Sequence, residues 1–262
     1  MNSFAFKVPV ASQGNFLPPI DAVVVCGGIG TRMGQTIKLF KCKSLVPVRG
    51  IPCLTYVLEA LKGINCSKCI LSVDRQDIFH EIESIANNSG LPFVIHLDSG
   101  RGPTVVAQEA SSLVESRRFL VLYGHQIVFP AHLKQMIAAD ADFVATTYKT
   151  SSEGVRKIAM LNSERFCIAL RHGSSESPAG ENEVYLDKPY ILQTEAIRNS
   201  SSLDSQFHPN TPANEELRPH TILRYAHNLY SIPANFRHEF HYENELEDVG
   251  KLAEAFAQDL LG

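Results

Sequence analysis

A run of β-branched residues that leads directly into a glycine-rich turn constrains the fold of this chain more than any other feature. The run is Ala-Val-Val-Val-Cys at residues 22–26, and the turn at residues 27–34 contains four glycines in eight positions. Such an apolar run is typical of a buried strand in a parallel sheet. Glycines let the backbone turn tightly and approach a ligand, and successive N–H groups in such a turn form an anion-binding concavity. The β-branched run and the glycine-rich turn together predict a buried strand that is followed by an anion-binding turn.

Strand and helix patterns alternate after this turn. A helix is predicted to begin at Pro52, a favoured residue for the first helical position, and to stop at Gly63. Strands are predicted at residues 70–73 and 93–97, with a helix at residues 78–86 between them. This β-α-β-α-β alternation predicts a parallel sheet with helices on both faces.

Length and composition indicate a soluble globular protein. The 262 residues suit one large domain, which we place at residues 20–262 after an extended lead-in at residues 1–19. We expect a flexible excursion at about residues 199–220, where Ser, Pro and Asn are abundant. The apolar fraction of 44% and the net charge of −4 indicate no nucleic-acid partner. No apolar run approaches the ~18 residues of a membrane span, and the first residues make a poor signal peptide, so we expect a cytoplasmic protein with no membrane partner. The oligomeric state stays open.

The six cysteines do not indicate a disulfide scaffold in a chain of this length. Cys66 and Cys69 form a lone C-x-x-C pair, and a structural zinc site would need a second pair. We interpret the two residues as ordinary thiols at the junction of a loop and a strand.

The segment at residues 21–52 resembles the signature of a known superfamily. The glycine turn is neither a P-loop nor a G-x-G-x-x-G motif. It is similar to the pattern G-G-x-G-T-R-M/L-G, followed by a Pro-Lys pair, an apolar strand and a Gly-x-Pro helix start. Lys43 stands at the lysine position, with Cys42 where proline is usual. This pattern belongs to the nucleotidyltransferase superfamily that includes NDP-sugar pyrophosphorylases, MobA-like enzymes and CMP-sugar synthetases.

The resemblance implies a fold and a reaction. The fold is a Rossmann-like three-layer α/β/α arrangement with a mostly parallel central sheet, of the nucleotide-diphospho-sugar transferase type. The reaction moves a nucleoside monophosphate from an NTP to a small phosphorylated acceptor, a sugar phosphate by analogy, and releases pyrophosphate. Arg32 would stabilise the pyrophosphate, and Lys43 would contact the α-phosphate and the acceptor. The residues that would hold the nucleotide at the first turn are Cys26, Gly27, Gly28, Gly30, Thr31 and Arg32.

Two later segments match elements that contact substrates in the resembling families. The turn at residues 98–104 makes Gly102 and Thr104 candidates for nucleotide binding, although a helix that starts at Pro103 explains the same residues. Residues 183–189 resemble the acidic-Lys-Pro element of NDP-sugar pyrophosphorylases, whose lysine meets the phosphorylated acceptor. Lys188 would take that role, and the alternative interpretation is a surface turn.

The metal ligands that the resemblance implies are altered in this chain. The superfamily strand that corresponds to residues 119–123 ends in Gly-Asp, and its aspartate holds a divalent cation that bridges the phosphates; here the residue is His125. Mg²⁺ prefers oxygen ligands, whereas imidazole suits zinc, copper, iron or nickel. Four alternatives follow: a rebuilt metal site, a direct hydrogen bond from His125 to phosphate, loss of catalysis, or a structural histidine at a strand end.

The second metal carboxylate is replaced as well. The C-terminal region resembles a family Asp-x-Pro-Glu-Asp-Leu ending, which puts Asn244 at the ligand position and Glu243 beside it as a substitute. The resemblance implies a metal-dependent enzyme that uses Mg²⁺, with Mn²⁺ as the alternative cation.

Two rival functions stay open. A nucleotide- or sugar-binding homologue that is catalytically silent would explain the altered metal residues. A glycosyltransferase that uses an NDP-sugar would require an Asp-x-Asp-like element at the strand end, and Tyr-Gly-His at residues 123–125 does not supply one.

Overall fold

The computed structural model describes residues 17–28, 30–101, 103–148, 156–173, 180–199, 229–234 and 242–261. Its strands are β1 (Ile20–Val25), β2 (Pro47–Val48), β3 (Ile51–Pro52), β4 (Cys66–Val73), β5 (Phe93–Leu97), β6 (Arg118–Tyr123), β7 (Phe143–Tyr148), β8 (Arg156–Leu161), β9 (Cys167–Gly173), β10 (Glu183–Gln193) and β11 (Leu229–Pro233). Its α-helices are α1 (Gly34–Phe40), α2 (Cys53–Lys62), α3 (Phe79–Ser89), α4 (Pro103–Ala110), α5 (Pro130–Ala138), α6 (Thr194–Arg198) and α7 (Leu246–Leu261). The predicted lead-in and excursion lie outside these ranges except for residues 17–19 and 199, so the division into domains stays a prediction.

A mostly parallel sheet forms the centre of the molecule. Seven strands follow the order β11-β7-β10-β6-β1-β4-β5, and β8 and β9 extend the sheet from β10. Strand β1 pairs in parallel with β4 and β6, and β4 pairs in parallel with β5. Strand β10 is antiparallel to both of its neighbours in this order, β6 and β7.

Alternate residues of β1 belong to two separate cores, which places helices on both faces of the sheet. Val24 is buried with residues of α2, α3 and α7, and Val23 is buried with residues of α4 and α6. Burial of each such side chain contributes about 1.5–3 kcal/mol. The prediction of a Rossmann-like three-layer α/β/α fold with a mostly parallel sheet is confirmed.

The helix predicted at Pro52 is also present. Helix α2 begins directly after Pro52, and Gly63 caps its carboxyl end. Leu54, Val57 and Leu61 recur at helical spacing and are fully buried against the sheet.

The register of the sheet brings three strand ends to one edge. Val25 pairs with Ser72 of β4 on one side and with Tyr123 of β6 on the other. Tyr190 of β10 pairs with Val121 of β6, and Lys188, two residues earlier in β10, contacts Tyr123 at the end of β6 through a side-chain hydrogen bond. Because loops at the carboxyl ends of parallel strands form the binding sites of such sheets, this edge is where a ligand is expected.

Among the helices that the structure describes, none combines the length and the hydrophobicity that a membrane span requires. The cytoplasmic location stays a prediction.

Candidate active site

The glycine turn that follows β1 adopts backbone conformations that favour glycine. Gly28, Gly30 and Gly34 have φ angles of 104°, 61° and 53°. A Cβ atom at Gly30 would lie 2.8 Å from Cδ1 of Ile37 and 3.2 Å from Cγ of Lys43. The absence of a side chain at Gly30 therefore lets Lys43 pack directly against the turn.

Asp74, the first residue after β4, fixes the start of the turn. Its Oδ2 accepts a hydrogen bond of 2.8 Å from the N–H of Gly28. A Cβ atom at Gly27 would lie only 2.7 Å from Cγ of Asp74, so glycine is required for this contact. Sequence reasoning missed Asp74; its place at the carboxyl end of a strand beside β1 was the available signal.

The second predicted loop is organised by Asp98, which follows β5. Its two carboxylate oxygens accept hydrogen bonds from the hydroxyl of Ser72 and the N–H of Gly100, each 2.8 Å long. Burial raises the pKa of the Asp98 carboxyl, and the nearby charge of Asp74 contributes in the same direction. The two carboxylates therefore lie close together and connect the loops after β1, β4 and β5.

The nucleotide-binding candidates of this second loop are only partly described. Gly102 lies outside the described residues, and Thr104 belongs to the first turn of α4. Pro103 is the first residue of that helix, as the structural alternative predicted. A nucleotide contact at Gly102 or Thr104 stays a prediction.

The segment that carries Lys43 is held against the ends of β1 and β6. Ser44 is fully buried, and its hydroxyl donates a hydrogen bond of 3.1 Å to the carbonyl of Cys26. A Cβ atom at Gly124 would collide with Oγ of Ser44, so the glycine after β6 permits this packing. Arg32 lies exposed on the short 3₁₀ helix Thr31–Met33 that continues the glycine turn. Arg32 and Lys43 thus both lie at this turn, and their contacts with phosphate stay a prediction.

Lys188 lies inside the sheet. It is only 3% exposed, and its ammonium donates a hydrogen bond of 2.7 Å to the hydroxyl of Tyr123. The pairing of β10 with β7 is irregular between Asp187 and Tyr190, and irregularities of this kind redirect side chains near binding sites. The alternative interpretation of residues 183–189 as a surface turn is wrong, because they form the first seven of the eleven residues of the buried strand β10.

His125 is buried beside the same tyrosine. Its ring stacks on the ring of Tyr123, with the centroids 4.9 Å apart and the planes at 24°, and the residue is 6% exposed. The residue that replaces the superfamily aspartate therefore lies next to the hydroxyl-bearing ring that contacts Lys188.

Glu243 lies at the glycine turn although it is distant in sequence. Its Oε1 accepts a hydrogen bond of 2.9 Å from the N–H of Thr36 in the first turn of α1, and this bond lowers the pKa of the Glu243 carboxyl. The same oxygen lies 3.4 Å from the position that a Cβ atom would take at Gly34. Asn244 is exposed and adjacent to Glu243 on the 3₁₀ helix Glu243–Glu245.

These residues do not fit a metal centre held by the protein. No group of three or more His, Cys, Asp or Glu residues within the described ranges could hold a metal ion. The carboxylate of Glu243 already accepts from Thr36, and His125 offers an imidazole, whereas Mg²⁺ requires near-octahedral oxygen ligation. A magnesium ion here would have to be held mainly by nucleotide phosphates and water, so we assign no step to it.

Comparisons with solved structures return the same architecture. An inositol-1-phosphate CTP transferase from T. maritima has a TM-score of 0.71 at 14% identity, with 92% of this chain and 97% of that chain covered. A UDP-glucose pyrophosphorylase complexed with UDP-glucose has a TM-score of 0.71 at 15% identity, with 91% and 99% covered. A CMP:2-keto-3-deoxy-manno-octonic acid synthetase complexed with CTP has a TM-score of 0.67 at 15% identity, with 91% and 99% covered.

The family itself is identified by sequence. A search of the curated proteins found no match. Residues 22–196 match the family model of the MobA-like NTP transferase domain, which is more than half of the chain and includes most of β1, the glycine turn, Lys43, His125 and Lys188. The predicted resemblance to the nucleotidyltransferase superfamily is confirmed, and the chain belongs to the MobA-like NTP transferase family.

Proposed function

We propose that this protein transfers a nucleoside monophosphate from an NTP to a small phosphorylated acceptor, a sugar phosphate, and releases pyrophosphate. The observation that carries the proposal is the placement of two lysines at one sheet edge. Lys43 packs on the glycine turn after β1, and the ammonium of Lys188 contacts Tyr123, the last residue of β6, which is the strand beside β1. The family match and the structural neighbours named for CTP, UDP-glucose and inositol 1-phosphate support this type of reaction.

The chemistry needs positioning and charge neutralisation more than covalent participation by the protein. Lys43 would stabilise the α-phosphate, and Arg32, whose planar fork suits phosphate oxygens, would stabilise the leaving pyrophosphate. Lys188 would hold the acceptor phosphate.

Two carboxylates limit where the phosphates can lie. The N–H of Gly28 donates to Asp74, and the N–H of Thr36 donates to Glu243, so neither amide is directed at a ligand. Because phosphate and carboxylate repel each other, we place the triphosphate between these two points, near Gly30 and Arg32.

The decisive experiment is a pyrophosphate-release assay. The purified protein is incubated with each of the four NTPs, Mg²⁺ or Mn²⁺ and a panel of sugar phosphates. We expect release with at least one NTP and acceptor pair, and a decrease of roughly 100-fold in kcat/KM for Lys43→Ala, because a charged phosphate contact is lost. Lys38→Ala, which removes an exposed lysine from α1, is the matched control and should retain activity. If the wild-type protein releases no pyrophosphate with any NTP and sugar phosphate of the panel, the proposal is wrong.

The replacement at His125 favours one second candidate, a silent homologue that binds nucleotide without turnover. This alternative predicts NTP binding by calorimetry together with no pyrophosphate release. It also predicts that His125→Asp, which supplies a carboxylate at this strand end, gains turnover that the wild type lacks. An active wild type whose turnover falls in His125→Asp would contradict the silent alternative.

A further inference from the structure

We infer that Tyr123 is a positioning residue for acceptor binding, which it controls by fixing the ammonium of Lys188. The inference rests on the proposed function, since it gives the acceptor subsite a second residue. It concerns the anionic group of the acceptor, a phosphate monoester.

The two residues belong to neighbouring strands, β10 and β6. The ammonium of Lys188 donates a hydrogen bond of 2.7 Å to the phenol oxygen of Tyr123. The Nζ atom also lies 4.0 Å from the centroid of the Tyr123 ring and 5.5 Å from that of Tyr190. A lysine side chain has a flexible four-carbon stem, and these contacts select one direction for its charge.

A tyrosine suits this task for an electrostatic reason. Transfer of an ammonium into a buried site is costly unless polar groups stabilise the charge. The phenol oxygen and the negative face of the ring both stabilise an ammonium. Neither carries a full negative charge, so Tyr123 leaves the attraction of Lys188 for a phosphate largely intact. A carboxylate in the same place would compete with that phosphate.

The stack of His125 on Tyr123 extends this arrangement. With the ring centroids 4.9 Å apart, the imidazole restricts the orientation of the phenol ring. His125 thus acts on Lys188 through Tyr123. This gives His125, which stands where the superfamily has an aspartate, a role that requires no metal.

The test uses two substitutions at Tyr123 and one matched control. Tyr123→Phe keeps the ring and removes the hydroxyl, and we expect the acceptor KM to rise roughly 10-fold while the NTP KM is unchanged. Tyr123→Leu removes the ring as well and should raise the acceptor KM roughly 100-fold. Tyr56→Phe removes another buried hydroxyl, which donates to the carbonyl of Val48 at 3.0 Å, and should leave both KM values unchanged.

A double-mutant cycle separates positioning from general packing. In a Lys188→Ala background, Tyr123→Phe should change the acceptor KM less than 2-fold, because its target is gone. His125→Phe preserves a stacking ring and should keep the wild-type acceptor KM, whereas His125→Ala should raise it. The inference is wrong if Tyr123→Phe raises the acceptor KM as much in the Lys188→Ala background as in the wild type. It is also wrong if Tyr123→Phe raises the acceptor KM and the NTP KM equally.

A binding measurement distinguishes failure of this inference from failure of the proposed function. If the wild type releases no pyrophosphate, the proposed transfer reaction is wrong. Calorimetry with glucose 1-phosphate and with inorganic phosphate still measures binding at the acceptor subsite of Lys188 and Tyr123. We expect roughly 10-fold weaker binding of one of these probes by Tyr123→Phe and unchanged binding by Tyr56→Phe, although each variant loses a hydrogen bond of a tyrosine hydroxyl. Binding of neither probe by the wild type, or equal affinity in wild type and Tyr123→Phe, would contradict the inference.

Discussion

The carboxylate of Asp74 holds the start of the glycine turn. It accepts from the N–H of Gly28 and lies against Gly27, where any side chain would displace it. If the nucleotide binds at this turn as we propose, the contact with Asp74 reduces the conformational entropy that binding must overcome.

Removal of that carboxylate should weaken nucleotide binding. We expect Asp74→Ala to raise the NTP KM roughly 10-fold, because a hydrogen bond to a charged group contributes about 1.5–3 kcal/mol and part of that loss is recovered by water. Asp74→Asn retains an oxygen acceptor and should have the smaller effect. Asp77→Ala is the control, since its carboxylate is 59% exposed in an ion pair with Arg75. An unchanged NTP KM in Asp74→Ala would show that the turn keeps its shape without Asp74.

The thiols should react slowly in the folded protein. All six cysteines lie within the described residues and form no disulfide there, and Cys167 is the one that is not buried. Burial raises the pKa of the Cys66 thiol to about 12, and it raises those of the other buried thiols. Because the thiolate is the reactive species, iodoacetamide at about pH 8 should add at most one group per native chain and six in urea, by intact mass. Labelling of both Cys66 and Cys69 in the native state would instead support a functional C-x-x-C pair.

At the scale of elements, the region before α7 is connected to the start of α1. The carboxylate of Glu243 accepts from the N–H of Thr36, while Arg49 forms an ion pair with Glu254 of α7. A carboxylate at the amino end of a helix is favourable because the N–H groups there lack partners. This contact explains Glu243 without a metal.

Glu243→Gln tests whether this residue anchors a helix or binds a metal. Since the hydrogen bond from Thr36 lowers the pKa of Glu243, its charge stabilises the fold above the unfolded pKa, and this stabilisation is lost as pH falls through the lower folded pKa. Thermal melts should therefore show a higher melting temperature for the wild type than for Glu243→Gln at pH 7, and the difference should shrink as pH falls below the usual pKa of a glutamate and vanish below the lowered pKa of the folded state. The Mg²⁺ concentration that gives half-maximal activity should be unchanged, as it should be in the exposed control Glu247→Gln. A large increase in that concentration for Glu243→Gln alone would identify a metal ligand.

At the scale of the molecule, the proposed nucleotide site would join loops from several strands, so nucleotide binding should stabilise the whole fold. An NTP at 100 times its Kd contributes about 2.7 kcal/mol, which raises the melting temperature of a chain of this size by roughly 5–10 °C. We expect one or two of the four NTPs to give this shift, and Lys43→Ala to reduce it. The same small shift with all four NTPs, unaffected by Lys43→Ala, would indicate nonspecific binding.

The sequence predicted those features whose causes are local. The β-branched run favours a strand, the glycines favour a tight turn, and Pro52 and Gly63 mark the two ends of a helix. Each of these effects depends on residues that are close in sequence, so the strand, the turn and the helix could be predicted. The contacts of Asp74 and Tyr123 could not be predicted, because their partners, Gly28 and Lys188, lie 46 and 65 residues away; only the place of Asp74 at the end of a strand was visible in the sequence. Lys188 was named by resemblance, but its burial depends on an antiparallel strand between β6 and β7, which no periodicity specifies.

The insertion of β10 between β6 and β7 has a consequence for the order of synthesis. A ribosome delivers the glycine turn, Lys43 and both flanking strands well before residues 183–193 emerge. Until then β6 and β7 present unpaired backbone edges that can associate with other chains. The nascent polypeptide is thus prone to aggregation until β10 has been synthesised. Strand β10, which covers these two edges, also carries Lys188.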